Sequence, residues 1–346
     1  MQRRDFLNKA TVFLGGVGGL TFFSPFGEHP VPAAFAADPR AETWVSPTSI
    51  SPLQCYVLVA KEKGYFQEQG LDIRIQPTPG TATAVTQVAS GGALFSQSGA
   101  ITTIPAIANQ GAEIVTIGQV IYRSPIELAS ATGKPMNRAA DWQGKTIGIM
   151  SVGGATDLLL DAMSVAAGLD PKNVQKVVTG ASISAHAFLE RGQVDAFFTF
   201  YPVQVALATR GVNLHYLNPD DLVPIPSDTI IAGRRVLADE AGRKAAIGYL
   251  RGCAKGMQFL LDPANVDQVI DILAKYNPLE AQDRAAARDK FAVVRRLAAR
   301  PSGVPFLHCD DRAWKEAVSL LARLSVIKDD RLPPSAYYTN ELVRQI

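Results

Sequence analysis

The chain has 346 residues, a formal net charge of +2, 47% hydrophobic and 19% charged residues. That near-neutral balance lacks the concentrated basic face that nucleic-acid binding needs. The three cysteines, Cys55, Cys253 and Cys309, allow at most one disulfide, which excludes a disulfide framework.

The N-terminus carries Arg3-Arg4 followed by Phe6-Leu7 and Lys9, then a glycine-diluted apolar run from Ala10 to Phe23. The pattern is similar to a twin-arginine export signal, and the run is short for a membrane span of about 20 residues. Ala34-Phe35-Ala36 supplies a small-x-small cleavage site, so residues 1–36 are expected to be a leader. The mature chain then starts at Ala37, is soluble in the periplasm, and meets the twin-arginine translocase only during export. Its length suits two domains.

After a short strand at Trp44-Val45, Ser51, Pro52 and Gln54 form the start of a helix, with Ser51 and Gln54 completing a capping box. Leu53, Tyr56, Val57 and Ala60 share one helical face, and Gly64 ends it. Leu71, Ile73 and Ile75 alternate as a strand. A helix over 82–90, a strand over 93–96, a helix from Ile101 and a strand over 114–120 follow. Such alternation predicts a parallel α/β sheet.

The pattern then repeats. Gly70-Leu71-Asp72 returns as Gly168-Leu169-Asp170, and Gly91-Gly92-Ala93-Leu94-Phe95 has a counterpart in Gly192 to Phe197. Two similar α/β lobes are therefore expected, 41–128 with 230–346 and 129–229. Residues 126–132 and 228–233 serve as the two crossing strands. From Asp239 onward the chain is predicted helical and packs on the first lobe.

The segments VAKEKGYFQEQGLDIRI, DWQGKTIGI, AAGLDPKNVQKV and FLERGQVDAFF together resemble the periplasmic solute-binding proteins of the nitrate/sulfonate/thiamine-precursor import group. The resemblance implies a type II periplasmic-binding-protein fold, two α/β lobes joined by two crossing strands. It also implies a monomer that closes on a small-molecule solute and delivers it to an ABC permease and its ATPase. The chain departs from the group's usual acid before the proline that follows the second-lobe strand, having Tyr201-Pro202 there. That departure weakens the expectation of a thiamine precursor, and an anionic sulfonate or carboxylate is the solute expected.

Ligands in open α/β sheets bind beyond the carboxyl ends of the strands. That rule selects Thr48, Ser49 and Ser51; Gln97 and Ser98; Ser151, Gly153, Gly154, Ala155 and Thr156; and Phe200 and Tyr201. The amides of the Gly153–Thr156 turn open a helix and favour an anionic oxygen. Arg123 is a candidate partner for a carboxylate or sulfonate, and Asp228 for a ligand N–H or the hinge. The histidines His29, His186, His215 and His308 are scattered, so neither metal nor other cofactor is expected. An enzyme on the same scaffold, desulfinase-like or pyrimidine-forming, is the alternative. Cys55, the cysteine closest to the first-lobe opening loop, reads as a core residue.

Overall fold

The alternating apolar residues of the first half do make strands, and they assemble into one of two five-stranded sheets. The computed structural model describes residues 40–223, 225–328 and 331–346, within the compact unit 37–346. The leader expected over 1–36 lies outside the described residues.

The first sheet takes β1 (Arg40–Ser46), β2 (Leu71–Pro77), β3 (Phe95–Gly99) and β4 (Ile114–Gln119). Between them run α1 (Cys55–Glu62), α2 (Thr81–Ser90) and α3 (Ala100–Gln110). The second takes β5 (Ile126–Ala131), β6 (Thr146–Ile149), β7 (Gln175–Val178), β8 (Ala196–Phe200) and β9 (Leu214–Leu217), with α4 (Ala155–Ala166), α5 (Ala185–Glu190) and α6 (Tyr201–Thr209). The chain then returns to the first sheet through β10 (Asp228–Gly233). Helices α7 (Glu240–Leu261), α8 (Val266–Tyr276), α9 (Pro278–Ala281), α10 (Arg284–Leu297) and α11 (Asp311–Arg323) follow.

Strand order is β2-β1-β3-β10-β4 in one sheet and β7-β6-β8-β5-β9 in the other. The two orders are the same pattern, which is the repeat seen in the sequence. The sheets are mixed rather than parallel. β10 runs antiparallel to β3 and β4, and β5 antiparallel to β8 and β9. The reason is that each is a crossing strand that enters its sheet from the opposite lobe. The expected lobe boundaries at 128/129 and 229/230 consequently fall inside β5 and β10. All of β5 lies in the second sheet and all of β10 in the first.

Most C-terminal helices cover the first sheet: α7 and α8 lie on α1, and α11 on α3. The α7 stripe Gly248, Gly252, Gly256, one per turn, lets that helix approach closely. A Cβ on Gly256 would sit 2.0 Å from the Tyr56 carbonyl oxygen, a backbone atom that cannot swing aside. Gly256→Ala is therefore expected to destabilise the protein by about 1–3 kcal/mol or more, read as a lowered urea midpoint at unchanged slope. An unchanged midpoint would show that α7 and α1 are not in this contact.

The lobes also touch. α4 packs on α3 within one apolar cluster that spans both sheets, and α6 packs on α10.

Candidate ligand-binding cleft

Where the carboxyl ends of the two sheets face each other, a cavity of about 190 Å³ opens between the lobes. Thr48, Ser51, Gln97, Ser98, Ser151, Ala155, Thr156, Phe200 and Asp228 line it. Ser49, Arg123, Gly153, Gly154 and Tyr201 do not.

Each of those five has a local cause. Ser49 faces solvent on the outer side of its loop. Arg123 Nη2 lies 3.1 Å from Asp221 Oδ1 on the exposed face of the crossings. Tyr201 opens α6 in the second lobe, yet its ring is buried among first-lobe core residues, its hydroxyl next to Ser51 without a hydrogen bond of standard geometry. It joins the lobes instead of facing the cavity.

The glycine turn is the main correction. Gly153 has φ +68° and donates its N–H to Asp157 Oδ2 at 2.8 Å; Gly154 donates to the Ser151 carbonyl at 3.3 Å. Their amides are thus occupied within the loop. Only Ala155 and Thr156 reach the cavity, as first-turn residues whose N–H groups have no partner inside α4. Asp157 already sits in that first turn as the acid that complements the helix dipole, held by Lys176 Nζ at 2.6 Å.

The polar heart of the cavity lies on the first lobe. Gln97 sits on β3, and β10 pairs beside it, aligning Asp228 with Gly99. Gln97 is 1% exposed, lines the cavity, and neither its Nε2 nor its Oε1 closes a hydrogen bond of standard geometry among the described residues, although the amide lies close enough to the Asp228 carboxyl to act on it. A buried amide left open in this way costs free energy until something pairs with it. Burial pushes the Asp228 carboxyl up to about 6, against a small opposing effect of the Gln97 amide beside it. The Asp228 carbonyl meanwhile accepts the N–H groups of Val120 and Ile121, both at 3.1 Å, so this strand start is tied to the first crossing.

Sequence reasoning missed Asp220, which also lines the cavity. It sits in the turn Pro219–Asp221, its Oδ2 accepting the Ser124 N–H at 2.7 Å from the other crossing. Burial raises its carboxyl to about 6, partly offset by the Ser124 N–H. The signal available was Asn218-Pro219, an Asx-capped turn just ahead of the return crossing. No Lys, Arg or His is among the described residues that line the cavity.

At the cavity mouth the lobes come together at Gly80 and Ser151. A Cβ on Gly80 would lie 3.5 Å from Ser151 Oγ, and one on Gly154 only 2.3 Å from the same atom. Ser151 is packed between two glycines, one from each lobe.

Cys55 is wholly buried, lies outside the lining, and has its thiol pushed far up by burial, then by Glu280. Among the described residues no group of three or more His, Cys, Asp and Glu could hold a metal. In the His308-Cys309-Asp310 run, His308 turns to the Phe306 carbonyl and Asp310 caps α11.

Two α/β lobes, two antiparallel crossing strands and a cavity between facing strand ends define a periplasmic-binding-protein fold. A family profile described as NMT1/THI5 like matches residues 52–265. The chain belongs to that family. It is 26% identical over 280 residues to the formylaminopyrimidine-binding protein of Halalkalibacterium halodurans, covering 77% of this chain and 80% of that one. The riboflavin-binding protein RibY of Chloroflexus aurantiacus is 26% identical over 230 residues, 65% of this chain and 62% of its own length. Among solved structures, the alkanesulfonate-binding protein SsuA of Xanthomonas axonopodis pv. citri superposes with a TM-score of 0.65 at 17% identity, covering 88% of this chain and all of that one. The family resemblance and the fold class expected from the sequence are borne out.

Proposed function

We propose that this protein is the solute-binding component of an ABC importer, exported to the periplasm, which closes on a small single-ring nitrogen heterocycle and delivers it to its permease and ATPase. The observation that carries the reading is the buried Gln97 amide, without a hydrogen bond of standard geometry, beside the Asp228 carboxyl in a cavity lined by no cationic side chain among the described residues. An amide and a carboxylate side by side match a ring nitrogen next to an exocyclic amine. Phe200, partly buried, offers a flat wall for such a ring.

The same lining disfavours the anionic solute expected from the sequence. Arg123 is spent on Asp221, the glycine amides are spent within their loop, and two carboxylates face the space. The acid absent at Tyr201 has a functional substitute in Asp228, supplied from a different strand. The relatives named for formylaminopyrimidine and riboflavin both bind nitrogen heterocycles, which agrees with this chemistry. The cavity of about 190 Å³ favours a single ring over a fused tricycle.

Ligand stabilises the closed form only through its differential affinity for that form, and it raises the melting temperature by mass action. An aminopyrimidine at about a hundred times its Kd is expected to raise the melting temperature by roughly 4–6 °C. Taurine, alkanesulfonates and nitrate are expected to leave it unchanged. A shift with a sulfonate and none with aminopyrimidines would refute the reading.

A further inference from the structure

We infer that Asp220 is a second ligand-reading group, and that the cleft prefers a heterocycle carrying a protonated amine arm to the same heterocycle with that arm acylated. This rests on the proposed heterocycle reading and adds a charge preference to it.

Asp220 lies in the turn ahead of the return crossing and Asp228 at its start, and Pro226 and Ser227, between them in the chain, also line the cavity. Asp220 Oδ2 is held by the Ser124 N–H at 2.7 Å, and its backbone N–H by Asn218 Oδ1 at 3.0 Å. Oδ1 makes no hydrogen bond among the described residues. The carboxylate is thus fixed from behind and left with one oxygen to offer. The neighbouring cation, Arg123, pairs with Asp221 and also acts on Asp220, but it is not among the residues that line the cavity.

A carboxylate in a small, weakly hydrated space gains from a positive charge placed against it. The buried Gln97 amide, without a hydrogen bond of standard geometry, independently supports a polar guest in this cavity. A protonated amine supplies three donors and the missing charge. An acylated arm keeps one N–H, loses the charge, and adds a carbonyl oxygen that neither acid can satisfy. The Asp220 carboxylate also joins the two crossings through Ser124, so a guest that engages it acts on the hinge itself.

The test is isothermal titration of the full-length exported protein with two probes, 4-amino-5-aminomethyl-2-methylpyrimidine and its N-formyl derivative. The amine is expected to bind at least tenfold more tightly. Asp220→Asn keeps an acceptor for the Ser124 N–H and is expected to remove most of that preference. Glu316→Gln, on the outer face of α11, serves as the charge control and should keep it. The wild-type comparison stands whether or not the Asp220 variant folds well. Equal or tighter binding of the formyl probe overturns the charge preference while leaving the heterocycle reading intact. A preference that survives Asp220→Asn overturns the role of Asp220. Failure of both probes to bind overturns both proposals.

Discussion

Asp228→Asn is expected to weaken binding of an aminopyrimidine by roughly tenfold to a hundredfold, the worth of a hydrogen bond to a charged group, and at the same time to stabilise the empty protein. The two effects share one cause. Burial raises the Asp228 carboxyl to about 6, well above the value it has in an unfolded chain. An acid whose folded pKa is raised binds its proton more tightly when folded. Its favourable contribution is complete below the unfolded value, near 4, and is lost as the pH rises through about 6. At pH 7 the ionised group therefore costs the fold on the order of 2 kcal/mol. The asparagine variant should melt higher than the parent at pH 7, and this advantage should vanish toward pH 4. Ligand affinity should fall in the parent as the pH drops below about 6, because the acceptor becomes protonated. Asp220 titrates over the same window and contributes to that slope, while the buried Tyr56 and Tyr201 hydroxyls nearby stay neutral throughout. Melting curves and titrations of both proteins across pH 4–8 decide the matter. A variant that binds as well as the parent removes Asp228 from the site.

Gly80→Trp is expected to hold the lobes apart. A Cβ at Gly80 already lies in van der Waals contact with Ser151 across the mouth, so an indole has no room unless the lobes separate. Gly154, behind Ser151, leaves no slack, since a Cβ there would fall within 2.3 Å of the same hydroxyl. A ligand that draws its affinity from both lobes then loses the contacts of one. A loss of about 2 kcal/mol or more, roughly thirtyfold in Kd, is expected, together with a larger radius of gyration in small-angle scattering. Thermal stability without ligand should change little, because position 80 lies at the mouth and not in a core. Unaltered affinity would mean that the mouth does not need to close at this point.

Much of the fold was legible because it depends on local periodicity. Leu71, Ile73 and Ile75 alternate, Leu53, Tyr56, Val57 and Ala60 share a helical face, and the landmarks around Gly70 and Gly168 repeat. These features carried the two lobes, the helical C-terminal region and the facing strand ends. The capping box at Ser51 and Gln54 is present as read, with the Ser51 N–H and Oγ both donating to Gln54 Oε1. The antiparallel sense of β5 and β10 was not legible, since a strand carries no local mark of its partner's direction. β9 was missed for a related reason: Leu214–Leu217 is only four residues long and its burial is mostly partial.

The candidate site was legible as a set of loops and illegible as a set of atoms. Strand-end geometry selected Thr48, Gln97, Ser98, Ser151 and Thr156, all of which line the cavity, as does Asp228, chosen as the start of the return crossing. Which of their hydrogen-bonding groups remain free depends on neighbours distant in sequence or hidden in rotamers. Asp157 reaches back to Gly153, and Thr156 Oγ1 accepts the Met150 N–H at 2.9 Å. The glycine turn looked like an anion cradle because its own carboxylate partner lay four residues on. Asp220 was passed over because a turn aspartate normally faces water, and only the close passage of Ser124 buries it.

The most direct measurement is a crystal structure of the protein grown with 4-amino-5-aminomethyl-2-methylpyrimidine. The ring should lie in the cleft against Phe200, its amine and ring nitrogen on Asp228 and Gln97, with Gly80 and Ser151 in contact across the mouth. A sulfonate or carboxylate held there by the Ala155 and Thr156 amides, with the Gln97 carboxamide still unpaired, would contradict the account.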